Sequence, residues 1–185
     1  HAAGAPLEWR PVLSRDLALA EETGSRAEIE RRAALLGLQP MRWPEDHPTD
    51  SEIAMLAATY AKSIGRAVPF AQAAFRQAFA GGHSLADTRY VLLAAAACEI
   101  HPTAVLRAIE RRGVAEALAQ SGRQARLAGI ERLPAITAGG HLFAGERAVE
   151  DAARLLRGHA PHAGGGGRGG QASERTFTAA AESVA

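Results

Sequence analysis

A chain of 185 residues is long enough for one domain with a hydrophobic core, yet alanine supplies about half of its 47% hydrophobic residues and aromatics only 5%. The core therefore rests on a limited set of Leu, Ile, Val and Phe side chains. A net charge of +1 gives no electrostatic case for nucleic acid or a membrane surface, and a single cysteine, Cys98, excludes an internal disulfide.

In chain order, Leu7–Leu13 alternates apolar and polar residues like a half-buried strand, and Pro11 assigns it to a sheet edge because proline cannot donate to a ladder. Ser25-Arg26-Ala27-Glu28 is a capping box opening a helix with Ile29, Ala33 and Leu36 on one face and Gly37 at its end. Pro40-Met41-Arg42-Trp43-Pro44 is a short extended piece. Thr49-Asp50-Ser51-Glu52 is read as a second capping box, followed by Ile53, Leu56, Ala57, Tyr60 and Ile64 at helical spacing.

Pro69 opens or bends the next helix, with Ala71, Phe75, Ala78 and Phe79 on its apolar side and Gly81-Gly82 as its stop. Another follows Asp87 and carries Tyr90, Leu93, Ala94 and Ala97. A short one starts at Pro102 and stops at Gly113, and the last of this block runs from Val114 to about Ala128. Leu133-Pro134 then leads into a strand, a Gly139-Gly140 turn, a second strand over His141–Ala144, and a helix with Val149, Ala152, Ala153 and Leu156 as its buried stripe. From His159 to Ala185 the composition turns to Gly, Ala and polar residues, including Gly164–Gly167, and is read as a disordered tail. Its lone arginine among glycines, without aromatics, suits a linker rather than an RNA-binding segment.

Glu8-Trp9-Arg10-Pro11, Leu36–Pro44, and Leu133-Pro134 followed by Gly139–Gly145 keep an order and spacing that resemble the DsbA-like branch of the thioredoxin fold. The nearest subgroup in that resemblance is the 2-hydroxychromene-2-carboxylate isomerase and kappa-class glutathione transferase group, over roughly residues 7–157. The resemblance implies an α/β thioredoxin-like fold with a large all-helical insert. It divides the chain into a partial thioredoxin-like segment (1–24), the helical insert (25–129), a strand-strand-helix unit (130–158) and the tail (159–185).

Family members begin with a strand and a helix carrying Cys-x-x-Cys or serine. The resemblance therefore implies that the first strand and active-site helix are missing, with the nucleophile upstream of His1 and no catalytic residue in the chain itself. That strand normally lies between the Leu7–Leu13 and Leu133–Ala138 strands. Its loss implies unpaired backbone groups and a poorly stable, inactive fragment.

The implied activity is thiol–disulfide exchange; the alternatives are a glutathione-dependent isomerase or transferase, or a non-catalytic remnant of the fold. The implied partner is a thiol or disulfide substrate, small molecule or protein. No cofactor is tightly bound in this reading, although glutathione or another low-molecular-weight thiol is the expected ligand. Homodimerisation and a cytoplasmic location accompany the isomerase-like group, and neither nucleic acid nor a membrane is an expected partner.

Two candidate sites follow. Leu133 and Pro134 are either a cis-proline loop presenting the Leu133 backbone to an extended thiol ligand, or an ordinary trans proline at a strand start. Gly145, Glu146 and Arg147 either hold a ligand carboxylate at the N-terminus of the last helix or simply cap it. Cys98 sits in an apolar alanine run with no local base, so it reads as a small buried hydrophobe rather than a nucleophile. His47, His83, His101 and His141 have no ligand spacing, and His159 and His162 fall in the tail; no metal site is expected.

Overall fold

Ser25 caps the first helix, α1 (Arg26–Leu35), with its hydroxyl oxygen accepting from the Glu28 N–H at 3.3 Å. The structure, a computed structural model, describes residues 7–17, 25–145, 147–158 and 177–181. The second helix, α2 (Glu52–Ser63), starts differently from the capping-box reading. Asp50 accepts from the Glu52 N–H at 3.0 Å, while the Thr49 hydroxyl donates to Asp46. A short carboxylate two residues upstream satisfies that free donor as an Asx turn does.

Helix α3 (Ala67–Phe75) begins two residues before Pro69, which is tolerated because the missing proline N–H falls in a first turn that has no intrahelical acceptor. It runs on into one π-helical turn at Arg76–Ala80. Asp87 caps α4 (Thr88–Ala97) and Pro102 is the first residue of α5 (Pro102–Ile109). Gly113 does not stop α5, which ends four residues earlier; it lies in the first turn of α6 (Arg112–Leu127).

Helices α2 to α5 share one core around Phe70, Val91 and Val105, each no more than 1% exposed, with Ala54, Ala57 and Ala94 between them. The alanines let the helices approach closely. They also leave little apolar area per residue, so the few large side chains matter disproportionately. Gly122 on α6 serves the same end: a Cβ there would come within 3.0 Å of an Asp16 carboxylate oxygen.

The sheet has four strands: β1 (Leu7–Pro11), β2 (Ala135–Ala138), β3 (His141–Ala144) and β4 (Phe177–Ala181), in the order β1-β4-β2-β3. β1 is an edge strand. It runs parallel to β4, from Leu7 opposite Phe177 to Pro11 opposite Ala181. β4 is antiparallel to β2, with Ala180 opposite Ala135. Gly139 and Gly140, with φ of 56° and 81°, make the tight turn from β2 to β3, a conformation other residues adopt only under strain. The last helix, α7 (Ala148–Gly158), covers that hairpin through Ala152, Leu155 and Leu156 packed with Ile136, Ala138 and Phe143.

Two expectations are corrected here. Residues 177–181 of the expected tail form a strand; 159–176 and 182–185 lie outside the described residues. β1 and β2 are not left without a shared partner either, because β4 lies between them and pairs with both. The segment Phe177-Thr178-Ala179-Ala180-Ala181 has no Gly or Pro, and two open strand edges supply its backbone with partners.

β1 is fastened to the helices by charge. Glu8 accepts from Lys62 Nζ at 2.6 Å and pairs with Arg10 at 3.3 Å, and Arg10 also donates to Gln124 of α6. The hydrogen bond from Lys62 holds the Glu8 carboxyl below its ordinary pKa. Stability from this pairing is therefore present above the ordinary carboxylate pKa and is lost as pH falls through the lowered native value. Lys62→Met is expected to cost about 0.5–1 kcal/mol at neutral pH, with the deficit shrinking below about pH 4. Thermal melts at pH 7 and pH 3.5 check this; an unchanged deficit at low pH would assign the effect to the lysine stem.

Candidate functional site

Leu133 and Pro134 enter β2 at the end of the sheet where β1 and β4 finish. The Leu133 side chain is half-buried against Val12, Leu17, Ala125, Ile130 and Ala135, a cluster joining the end of β1, α6 and the start of β2. The Leu133–Pro134 peptide is cis. A second cis peptide, His47–Pro48, had no signal in the sequence beyond the proline itself.

The two sites separated in sequence meet directly. The Gly145 N–H donates to the Pro134 carbonyl at 3.0 Å, and the Gly145 carbonyl accepts from the Ala148 N–H at 3.1 Å, at the first residue of α7. Gly145 does both at φ 79°, a left-handed conformation that glycine adopts without steric cost. One glycine thus locks the proline loop to the start of the last helix.

Arg147 is not drawn into this contact. Its side chain is 72% exposed and lies 3.7 Å from Asp151, a carboxylate that also pairs with Arg154 at 2.7 Å. Glu146 lies outside the described residues. Leu133, Pro134 and Gly145 are therefore brought together, while Arg147 is engaged with Asp151 of α7.

Register places two further strand ends at the same level. Ala135 is opposite Ala180, so the antiparallel pairing carries Pro134 level with Ala181, which is itself paired with Pro11. Next to the end of β1, Trp9, Met55, Phe70, Ala74, Phe75 and Leu85 line an apolar recess between the strand and helices α2 and α3. This recess was invisible to local sequence reading because its walls come from segments about 45 to 75 residues apart.

Cys98 is remote in kind from this chemistry. It is buried in the core of α2 to α5, its Sγ within 3.3 Å of the Ala94 carbonyl and 3.2 Å of the Ala95 carbonyl. Burial pushes its thiol pKa up, so at neutral pH it stays a protonated thiol and a poor nucleophile. The histidines are used in packing and capping: His83 stacks on Tyr90 with centroids 4.0 Å apart, and His101 Nδ1 accepts from the Thr103 N–H. His47 packs against Trp43 and Phe79. Among the described residues no group of three or more His, Cys, Asp or Glu side chains could hold a metal ion, and no helix is long and apolar enough to cross a membrane.

A parallel-antiparallel sheet with a proline loop at one end, a covering C-terminal helix and a separate helical block defines a thioredoxin-like domain. The DSBA-like thioredoxin domain family matches residues 7–157, and the chain belongs to that family. Among solved structures it is similar to a selenomethionine 2-hydroxychromene-2-carboxylate isomerase, with 15% sequence identity and a TM-score of 0.63. The match covers 71% of this chain and 64% of the isomerase chain, so the likeness concerns the fold over under two thirds of that protein's length. No curated protein sequence matches the chain at a significant level.

Proposed function

We propose that this chain is the thiol-ligand-positioning part of a glutathione-dependent isomerase or transferase site. In this reading the Leu133 backbone N–H and C=O pair with an extended thiol such as glutathione, and the Gly145 turn holds the loop in place. The observation that carries it is the Gly145 N–H to Pro134 carbonyl hydrogen bond, which fixes the loop against the start of α7. A ligand with peptide groups of its own pairs with such a loop as an added strand does, so orientation comes from main chain rather than from a charged side chain.

Thiol–disulfide exchange is the other reading, and membership of the DSBA-like family supports it. That reaction needs an accessible thiolate to attack a sulfur. Buried, protonated Cys98 is not that thiolate, and both readings expect their nucleophile on a helix upstream of His1. In the isomerase or transferase role this chain binds and orients the thiol ligand.

Titration of the uniformly labelled chain with reduced glutathione, followed by amide chemical shifts, tests the proposal. The expected result is saturable shifts concentrated at Leu133, Ala135, Gly145 and their neighbours. No saturable shifts up to about 10 mM, a range that covers even millimolar affinities, would remove the thiol-positioning reading. Shifts confined to the helical block would do the same.

A further inference from the structure

The walls that hold β4 are built without it. On one side β1 is tied to α2 through Glu8 and Lys62 and to α6 through Arg10 and Gln124. On the other side β2 is paired with β3 and covered by α7. Val12 and Leu17, after β1, and Ala135, at the start of β2, pack in one cluster with Ala125 in the last turn of α6 and Ile130 just beyond it. The spacing between the two strands is thereby fixed by side chains that do not belong to β4.

β4 itself pairs on both edges. Thr178, Ala179 and Ala180 stand opposite Glu8, Trp9 and Arg10 on one side and Thr137, Ile136 and Ala135 on the other. Eighteen residues, 159–176, six of them glycine, separate it from the end of α7. Three of its five residues are alanine, so main-chain hydrogen bonding on two edges, rather than large side chains, is what the sequence offers for holding it.

We propose that β1 and β2 form a preformed strand-accepting groove, and that Phe177–Ala181 is its ligand, a strand docked from the chain's own C-terminal segment. The groove takes an extended segment of small side chains, parallel to β1 and antiparallel to β2, and accepts the same segment supplied as a separate peptide. Because Ala181 ends level with Pro134, whatever occupies the groove also sets what lies beside the proline loop. That last consequence rests on the thiol-positioning reading; the docking does not.

The test uses the full chain carrying Ala179→Pro, which removes one ladder donor in the middle of β4. Hydrogen exchange is expected to accelerate at least ~10-fold at the amides of Ala135 and Thr137 and at the β4-facing amides within Glu8–Arg10, with protection retained at Ile136, which pairs with β3, and in α2 to α5. Adding a synthetic peptide of sequence Ser173–Ala181 is expected to restore that protection, and the same peptide with Ala179→Pro is expected not to. Unchanged protection in the variant overturns the proposal, as does a loss that millimolar peptide leaves unrepaired. Loss of protection throughout α2 to α5 overturns it too, because a preformed groove must stand when its strand is gone. Glutathione plays no part in this measurement, so its outcome is separate from that of the ligand titration.

Discussion

Phe70→Ala is expected to destabilise the protein by about 3–5 kcal/mol, the largest loss from any single truncation in the helical block. Phe70 is 1% exposed and is the largest fully buried side chain among the described residues. Its neighbours include Ala54, Ala57, Ala73 and Ala74, which are too short to move into the space an aromatic ring leaves. The cavity term is then added almost in full to the lost transfer energy. Urea unfolding followed by circular dichroism measures this, with Leu93→Ala as the reference; Leu93 is 53% exposed and its truncation is expected to change stability by about 0.5 kcal/mol or less. A loss for Phe70→Ala below about 1.5 kcal/mol would mean that the alanine-rich helices close over the void.

The helices were legible wherever a local rule acts alone. Ser25, Asp87 and Pro102 mark helix starts because capping and the missing proline N–H are settled within three residues. Thr49–Glu52 misled because three acceptors, Thr49, Asp50 and Ser51, stand side by side, and composition does not say which one takes the first amide. β4 was illegible for a different reason. Its five residues follow a glycine-rich run that dominates the composition, and what makes them a strand is two edges supplied by residues more than 40 and more than 160 positions away. Local patterning does not encode such partners.

The link between the two candidate sites could have been read. Counting outward from Gly139-Gly140 pairs Ala138 with His141 and Ala135 with Ala144, and one step further sets Pro134 opposite Gly145. Register in a two-residue hairpin is fixed by the turn, so the sequence already implied a single site at that end of the sheet. The recess beside Trp9 had no such signal, since a groove between a strand and two helices depends on how the helical block docks.

Gly145→Val is expected to abolish the site while leaving the rest of the fold standing. At φ 79° the Cβ of a β-branched residue crowds the adjoining backbone, at a cost of about 1–2 kcal/mol, and relaxing that conformation turns the amide away from the Pro134 carbonyl. The loop then loses its fixed relation to α7. In the proposed reading, glutathione affinity falls at least ~10-fold, about 1.4 kcal/mol. Gly37→Val separates the two effects: Gly37 has φ 68° and open space around its Cβ position, so it carries the same backbone penalty at the end of α1. Both variants are expected to melt a few degrees lower, and only Gly145→Val is expected to lose the glutathione-induced shifts at Leu133 and Ala135. Equal ligand responses in the two variants would mean that the Gly145–Pro134 hydrogen bond supports the hairpin without serving the ligand. A selective loss would tie thiol recognition to one backbone contact between a loop and a helix start.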